Sequence, residues 1–289
     1  MARLIPAGLR PWRGAVLGIA ALYFLVPLLA AAVFTVDVPG QGLTLDSYAQ
    51  IFAADGFTTA LLLSLGLALT TVALALLLTL PAALAVRLSG SGRLRAVLEV
   101  VCTLPLVVPP VALVAGIGTV LKWGPDHLST TPLYDTFVAV QNPDFPLVLV
   151  LAYVVMALPF VHRSLDAGLR AVDVRTLVEA ARDLGASWPR AIFSVVLPNL
   201  RTALLNASFL TLALVLGEFT VAQLLGFQPF AVWIVQASGS NAQLSVAVSL
   251  LSLVLTWVLL LVLTAVFRTR ADRSARTPRS DKKKKEAGA

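Results

Sequence analysis

The sequence predicts an all-α membrane protein with six transmembrane helices, and three observations predict it. First, 58% of its 289 residues are hydrophobic and only 13% are charged, about half the charge content of an ordinary globular chain. Second, apolar runs near the roughly 20 residues that cross a bilayer as helix recur along the chain. Third, the basic residues collect in alternate gaps between those runs. Lipid offers no partner for an open backbone, so each run closes its hydrogen bonds as a helix. Six buried helices of a water-soluble protein would carry polar faces at helical period, and these runs do not.

The six spans are placed at about Ala15–Val36, Phe57–Val86, Val97–Leu121, Pro146–Val161, Leu200–Leu225 and Leu244–Phe267. Span one follows a basic start, but its apolar run is longer than a cleavable signal, which predicts an uncleaved anchor. Span two is an apolar run closed by Arg87. Span three begins near Glu99 and is interrupted by Pro105, Pro109 and Pro110, which free backbone carbonyls. That interruption is either a packing kink or a gate near the bilayer midplane. Gly116 and Gly118 in the same span suit close helix packing, and the lone Cys102 excludes a disulfide framework. Span four is short and can extend toward Leu165. After span six the tail, residues 268–289, turns basic and ends near Lys282–Lys285, a composition expected to be disordered and held inside.

Orientation follows from the Lys and Arg residues. Arg3, Arg10 and Arg13, then Arg87, Arg93 and Arg95, then Arg163, Arg170, Arg175, Arg182, Arg190 and Arg201, and finally the tail all fall on one side, leaving Lys122 alone of 22 basic residues on the other. Both termini are therefore expected in the cytoplasm. The positive charge belongs to topology and gives no reason to expect nucleic acid. The opposite loops hold Asp37, Asp46, Asp55, Asp126, Asp135 and Asp144, an acidic mouth that the same bias would produce without any role in selection.

Several chemistries lack their residues. No phosphate-binding Gly-x-x-x-x-Gly-Lys-[Ser/Thr] loop occurs, so the chain is not expected to bind ATP itself. His127 and His162 fall on opposite sides of the membrane, and neither zinc-ligand spacing nor a nucleophile elbow is present. The expectation is no catalytic residue, no metal and no resident cofactor.

The basic segment between spans four and five has its own pattern. Val174, Leu177, Val178, Ala181 and Leu184 form an apolar stripe at helical spacing. Gly185 then suits the left-handed position that closes a helix. Ser187 and Pro189 can open a second helix carrying Trp188, Ile192, Val195 and Val196, before Pro198 breaks toward span five. The prediction is two short helices at a sharp bend, forming a knob on the inner face.

The same segment reads Glu179-Ala180-Ala181, three residues, Gly185, nine residues, Val195, one residue, Leu197-Pro198. This resembles the EAA loop of permease subunits of binding-protein-dependent ABC importers, with Val195 where that family has Ile. The resemblance covers most of residues 10–268 and implies a type I, MetI-like permease architecture. It divides the chain into a cytoplasmic N-terminus (1–14), a six-helix permease domain (15–267) with its coupling loop at about 166–199, and the tail (268–289). It further implies that the knob docks on a separate ATPase, with Glu179 making a polar contact, Ala180 and Ala181 keeping the face shallow, and Gly185 making the bend. The implied partners are two ATPase subunits carrying ATP-Mg, a second permease subunit forming a heterodimer, an extracytoplasmic solute-binding protein and the lipid bilayer, all at a bacterial cell membrane.

Glu218 is the outlier inside span five, where a carboxylate costs on the order of 2.5–3.5 kcal/mol on insertion scales. With Ser208 and Thr211 it shares roughly one helical face. That strip either lines a translocation path, where Glu218 would attract a cation, or tethers helices. Gly217-Glu218-Phe219 resembles a run found in permeases for anions, which favours the tether. The Gly217–Gly226 stretch and the length resemble most closely the branch carrying polyamines, iron(III), thiamine and phosphonate. A spermidine/putrescine-like solute is the leading expectation, with iron(III), thiamine, phosphonate or an oxyanion as alternatives. A secondary transporter titrating Glu218, or a scaffold subunit of another complex, would leave the EAA spacing unexplained.

Overall fold

The computed structural model describes residues 11–38, 40, 42–237 and 242–275. Arg3, Arg10 and the tail beyond Ala275, including the lysine run, lie outside the described residues.

The described chain is almost wholly helical and divides into two compact units. One contains residues up to Thr58 together with Trp233–Leu255. In it, helix α1 (Pro11–Val36) is apolar from Gly14 onward, with a window of mean hydropathy 2.5, and none of that window is buried. Such a helix has no polar face to give to water, so its surroundings must be apolar. It leads into a two-residue hairpin, β1 (Asp37–Val38) against β2 (Gly42–Leu43), with Asp37 opposite Leu43. Helix α2 (Asp46–Ile51) returns Tyr48 to bond Thr35 at 2.9 Å. Helix α3 (Phe57–Ser89) starts here, and α13 (Phe230–Ala237) gives Trp233, whose indole N–H donates to the Asp55 carbonyl at 3.0 Å. Helix α14 (Ala242–Ala275) starts in this unit as well.

The other unit, Thr59–Val232 with the rest of α14, holds the largest core. It comprises most of α3, then α4 (Gly92–Thr103), a 3-10 turn at Leu104–Leu106, α5 (Pro110–Trp123), a π turn at Gly124–Leu128, α6 (Leu133–Ala139) and α7 (Leu147–Ala171). Five short or medium helices follow: α8 (Val174–Asp183), α9 (Trp188–Ala191), α10 (Leu197–Asn199), α11 (Arg201–Gly217) and α12 (Thr220–Leu225), with a π turn at Ile192–Val196. Helix α7 is the centre. Its residues Leu149, Tyr153, Ala157, Val161, Leu165 and Leu169 recur every fourth position and are all buried. A four-residue repeat makes one continuous ridge along a helix, and α11 packs against α7 along its length. Their approach is tight where Gly168 faces Ala203: a Cβ at Gly168 would lie 2.4 Å from the Ala203 Cβ.

Four helices are long and apolar enough to cross a membrane alone: Gly14–Val36 of α1, α3, α7 and Ala242–Ala265 of α14. Two further pairs pass only together, giving six if each bent pair is one span. Span three is one of these. Its arms, Gly92–Leu106 and Pro110–Leu128, meet at 99°, with Pro105 in the 3-10 turn and Pro109 and Pro110 opening α5. The prolines therefore end one helix and start another, where a single kinked span over Val97–Leu121 was expected.

Span five departs further from expectation. A continuous helix over Leu200–Leu225 is not present, since α11 ends at Gly217 and α12 begins at Thr220. The other bent pair joins Trp188–Asn199 to α11 at 74°, hinging at Leu200. Span four, in contrast, is longer than expected. Helix α7 runs to Ala171, so His162, Arg163, Asp166 and Arg170 lie on it and not in a loop. The Arg170 guanidinium pairs with Asp166 one turn earlier, and Arg95 of α4 lies 3.6 Å from the same carboxylate. Helix α14 likewise continues past Phe267 to Ala275.

Candidate coupling surface and intramembrane polar groups

The knob forms from local chemistry. Asp173 caps α8, accepting from the Thr176 N–H at 3.3 Å and the Thr176 hydroxyl at 2.7 Å, and these donors hold its carboxyl below the usual range. Capping of this kind satisfies the orphan donors of a first helical turn. Val174, Val178 and Ala181 are buried, the first two in a cluster with Ala83, Leu84, Leu169, Val196 and Leu200. At the other end the Ala186 N–H reaches the Ala181 carbonyl at 3.0 Å and the Gly185 N–H reaches Arg182 at 2.8 Å. With Gly185 at φ +84°, this is the paired closure that a left-handed residue permits.

The second limb differs from expectation at its start. Ser187 occupies the N-cap position but its side chain makes no capping bond. The Arg182 guanidinium lies 5.6 Å above the Trp188 ring and joins the two limbs across the bend instead. Val195 is half-buried in the π turn, where its carbonyl accepts from the Asn199 amide at 2.8 Å. Leu197 is half-buried and Pro198 exposed at the start of α10. The chain then turns at Leu200, two residues after the proline.

Glu179, Ala180, Leu184 and Gly185 are exposed around the bend, while Trp188 and Phe193, also exposed, line an apolar cavity with Leu80 and Leu84 of α3 and Leu204 of α11. Among the described residues Glu179 is paired only with Arg175, one turn earlier, at 3.0 Å with both side chains mostly exposed. Such pairs contribute little to stability. Leu184 is the correction here. Placed in the inward stripe by its spacing, it is 89% exposed at the apex. At 100° per residue it sits about 80° off Val174, and it follows the last helical residue; that drift was the signal for its outward position.

The intramembrane polar residues lie inside the chain's own core. Ser208 and Thr211 of α11 are buried, and the Thr211 hydroxyl has no hydrogen-bond partner among the described residues. Glu218 occupies the break between α11 and α12 and is 9% exposed. Its two carboxylate oxygens accept from the N–H groups of Val221 at 2.8 Å and Ala222 at 3.3 Å. These are first-turn amides of α12, where the helix dipole favours negative charge. The buried Tyr153 hydroxyl lies close to the same carboxylate without a hydrogen bond of good geometry. At the other break, Pro105 and Pro110 line an apolar cavity of about 340 Å³ with Val155, Phe160 and Leu214. Among the described residues no three His, Cys, Asp or Glu side chains converge as a metal site would require.

Against this geometry, the comparisons with known proteins agree on one family. The family described as binding-protein-dependent transport system inner membrane component matches residues 75–277. The chain is 36% identical over 158 residues to the molybdenum transport system permease protein ModB of Escherichia coli K12, covering 53% of this chain and 66% of that protein. It thus spans just under two thirds of that relative. To ModB of Mycobacterium tuberculosis it is 32% identical over 201 residues, 70% of this chain and 71% of that one. A shorter match, 35% over 89 residues, joins it to the spermidine/putrescine transport system permease protein PotB of Haemophilus influenzae, covering 31% of this chain and 30% of that one. A crystal structure of an amino acid ABC transporter with histidines aligns at a TM-score of 0.53 and 18% identity, over 80% of this chain and 100% of that one, and supports the fold alone. The chain belongs to the family of inner membrane components of binding-protein-dependent transport systems, with the type I ABC permease fold.

Proposed function

We propose that this chain is one half of the membrane pathway of an ABC importer, driven through the α8–α9 knob by a separate ATPase and fed by an extracytoplasmic binding protein. The observation that carries the proposal is the knob's division of labour. Its inward stripe is used up in the permease core, while Leu184, Ala180 and Glu179 face outward around the bend. Removing a fully exposed leucine from water contributes on the order of 1.5–3 kcal/mol, so the apex is suited to a protein groove. Glu179 would then exchange its exposed pair with Arg175 for a contact on the ATPase.

The solute we propose is an oxyanion of the molybdate kind, which displaces the polyamine as leading expectation. Relatives named for molybdenum transport are matched over longer stretches than the one named for spermidine and putrescine. The cation argument rested on an unexplained buried acid, and the capping of two backbone N–H groups by Glu218 accounts for that acid without a cationic solute. Ser208 and Thr211, the rest of the candidate path, are covered by the chain's own core.

Reconstitution tests this reading. The permease, with its ATPase and binding protein in proteoliposomes, should accumulate labelled molybdate when ATP is supplied. Excess tungstate should compete and excess spermidine should not. Accumulation of spermidine would overturn the substrate class, and purification of the permease without any bound ATPase would overturn the importer assignment.

A further inference from the structure

A second polar site sits at the base of the knob, and nothing in the importer reading uses it. The end of α3, α4 and the last turns of α7 border a cavity of about 230 Å³ whose lining includes Arg87, Ser91, Arg95, Glu99, His162 and Asp166. A water occupies about 30 Å³ of liquid, so a small anion fits with solvent to spare.

Three features favour an anion. The N-terminus of α4, a 12-residue helix, opens here after Gly90 turns at φ +66°, and Ser91 accepts the Leu94 N–H at 3.4 Å. Remaining first-turn amides and the positive helix end are an anion's partners. His162 is only 8% exposed, and its Nδ1 has no hydrogen-bond partner among the described residues. The imidazole lines the cavity, and the protein leaves this nitrogen unsatisfied, an exception among buried polar groups that calls for an explanation. Finally, the charges do not cancel. Asp166 is already neutralised by Arg170 and approached by Arg95, while Arg87 makes no ion pair among the described residues. Two lining carboxylates, Glu99 and Asp166, stand against the Arg87 and Arg95 guanidinium groups, and Arg170 beside Asp166 tips the balance to positive.

We infer that this cavity binds a tetrahedral oxyanion, held by Arg87, Arg95, the α4 N-terminus and His162. Arginine matches such an anion through paired, charge-assisted hydrogen bonds. The occupant would tie α3 and α4 to α7 immediately before the knob, since α8 begins three residues after α7 ends. The chemistry is that of free sulfate, phosphate or molybdate, and equally that of a phospholipid headgroup. It does not depend on what the protein transports.

The test uses full-length permease in nanodiscs of phosphatidylcholine, with equilibrium dialysis against radiolabelled sulfate at constant ionic strength. One saturable site per chain is expected, with phosphate and molybdate competing. Arg87→Gln, at an exposed and unpaired position, should keep the unliganded melting temperature and weaken sulfate binding roughly tenfold or more. His162→Asn should weaken it as well. Loss of sulfate binding on moving to phosphatidylglycerol nanodiscs, with Arg87-dependent retention of that lipid, would support the site with the headgroup as its natural ligand. Absence of saturable binding in both membranes, or sulfate binding unchanged in Arg87→Gln, would overturn it. Molybdate uptake is measured separately, so failure of the transport reading and failure of this one are distinguishable.

Discussion

Glu179 and Glu218 share a side chain and almost nothing else. Glu179 stands on the knob, 62% exposed, held by one arginine that water screens. Glu218 is 9% exposed and accepts from two backbone N–H groups at a helix break. The first is cheap to change for folding and therefore free to serve a partner. The second is committed to the chain's own backbone, where losing it orphans buried donors. A conspicuous carboxylate in an apolar run is thus not by itself a solute site; what it accepts from decides.

The largest test of this contrast is at Glu218. Glu218→Leu should cost roughly 2–5 kcal/mol by leaving two buried donors unpaired, visible as a large loss of thermal stability in the purified permease. Glu218→Gln keeps one acceptor oxygen and should lose about half as much. A Leu variant as stable as the parent would break the capping interpretation.

Gly185→Val comes next. It forces a β-branched residue into a left-handed backbone and should cost roughly 1–2 kcal/mol, in a knob with no Cβ neighbour within 4 Å at that position. The melting temperature should fall modestly while ATP-driven uptake falls strongly. Equal, small losses in both would mean that the bend does not transmit force.

The smallest stability effects belong to the outward residues. Glu179→Ala should change folding by less than about 0.5 kcal/mol, and Leu184→Ser should be similarly silent in a melting experiment. Both should nevertheless lower co-purification of the ATPase, Leu184→Ser more than Glu179→Ala. If neither alters ATPase retention, the outward face is not the docking surface.

What the sequence could reveal follows the range of the interactions involved. The knob was legible because its determinants are local, a stripe at helical spacing and a glycine stop, although the cap that forms is Asp173 on α8 and not the expected Ser187 on α9. Even there the apex Leu184 was misassigned, since its spacing resembles the stripe and only the C-terminal closure turns it outward. The break at Glu218 was not legible, because no proline marks it and the polar residues of Leu200–Leu225, Ser208 and Thr211 among them, are spread along the run without marking a helix end. Gly217 beside the carboxylate was the available hint. The length of α7 was hidden by charges: Arg163, Asp166 and Arg170 read as a loop, yet Asp166 and Arg170 pair along one helical face and keep the helix running. The prolines of span three were found, but a 99° turn depends on what each arm packs against, which composition does not carry.

The contact between Gly168 and Ala203 has a mechanical consequence. Helix α7 enters the knob and α11 leaves it, and at this crossing no room exists for even one added methyl group. The knob is therefore a stirrup whose two straps are pinched together just above the foot. Any side chain at Gly168 would wedge those straps apart at the base of the knob, so the tightness of the crossing rests on one missing Cβ.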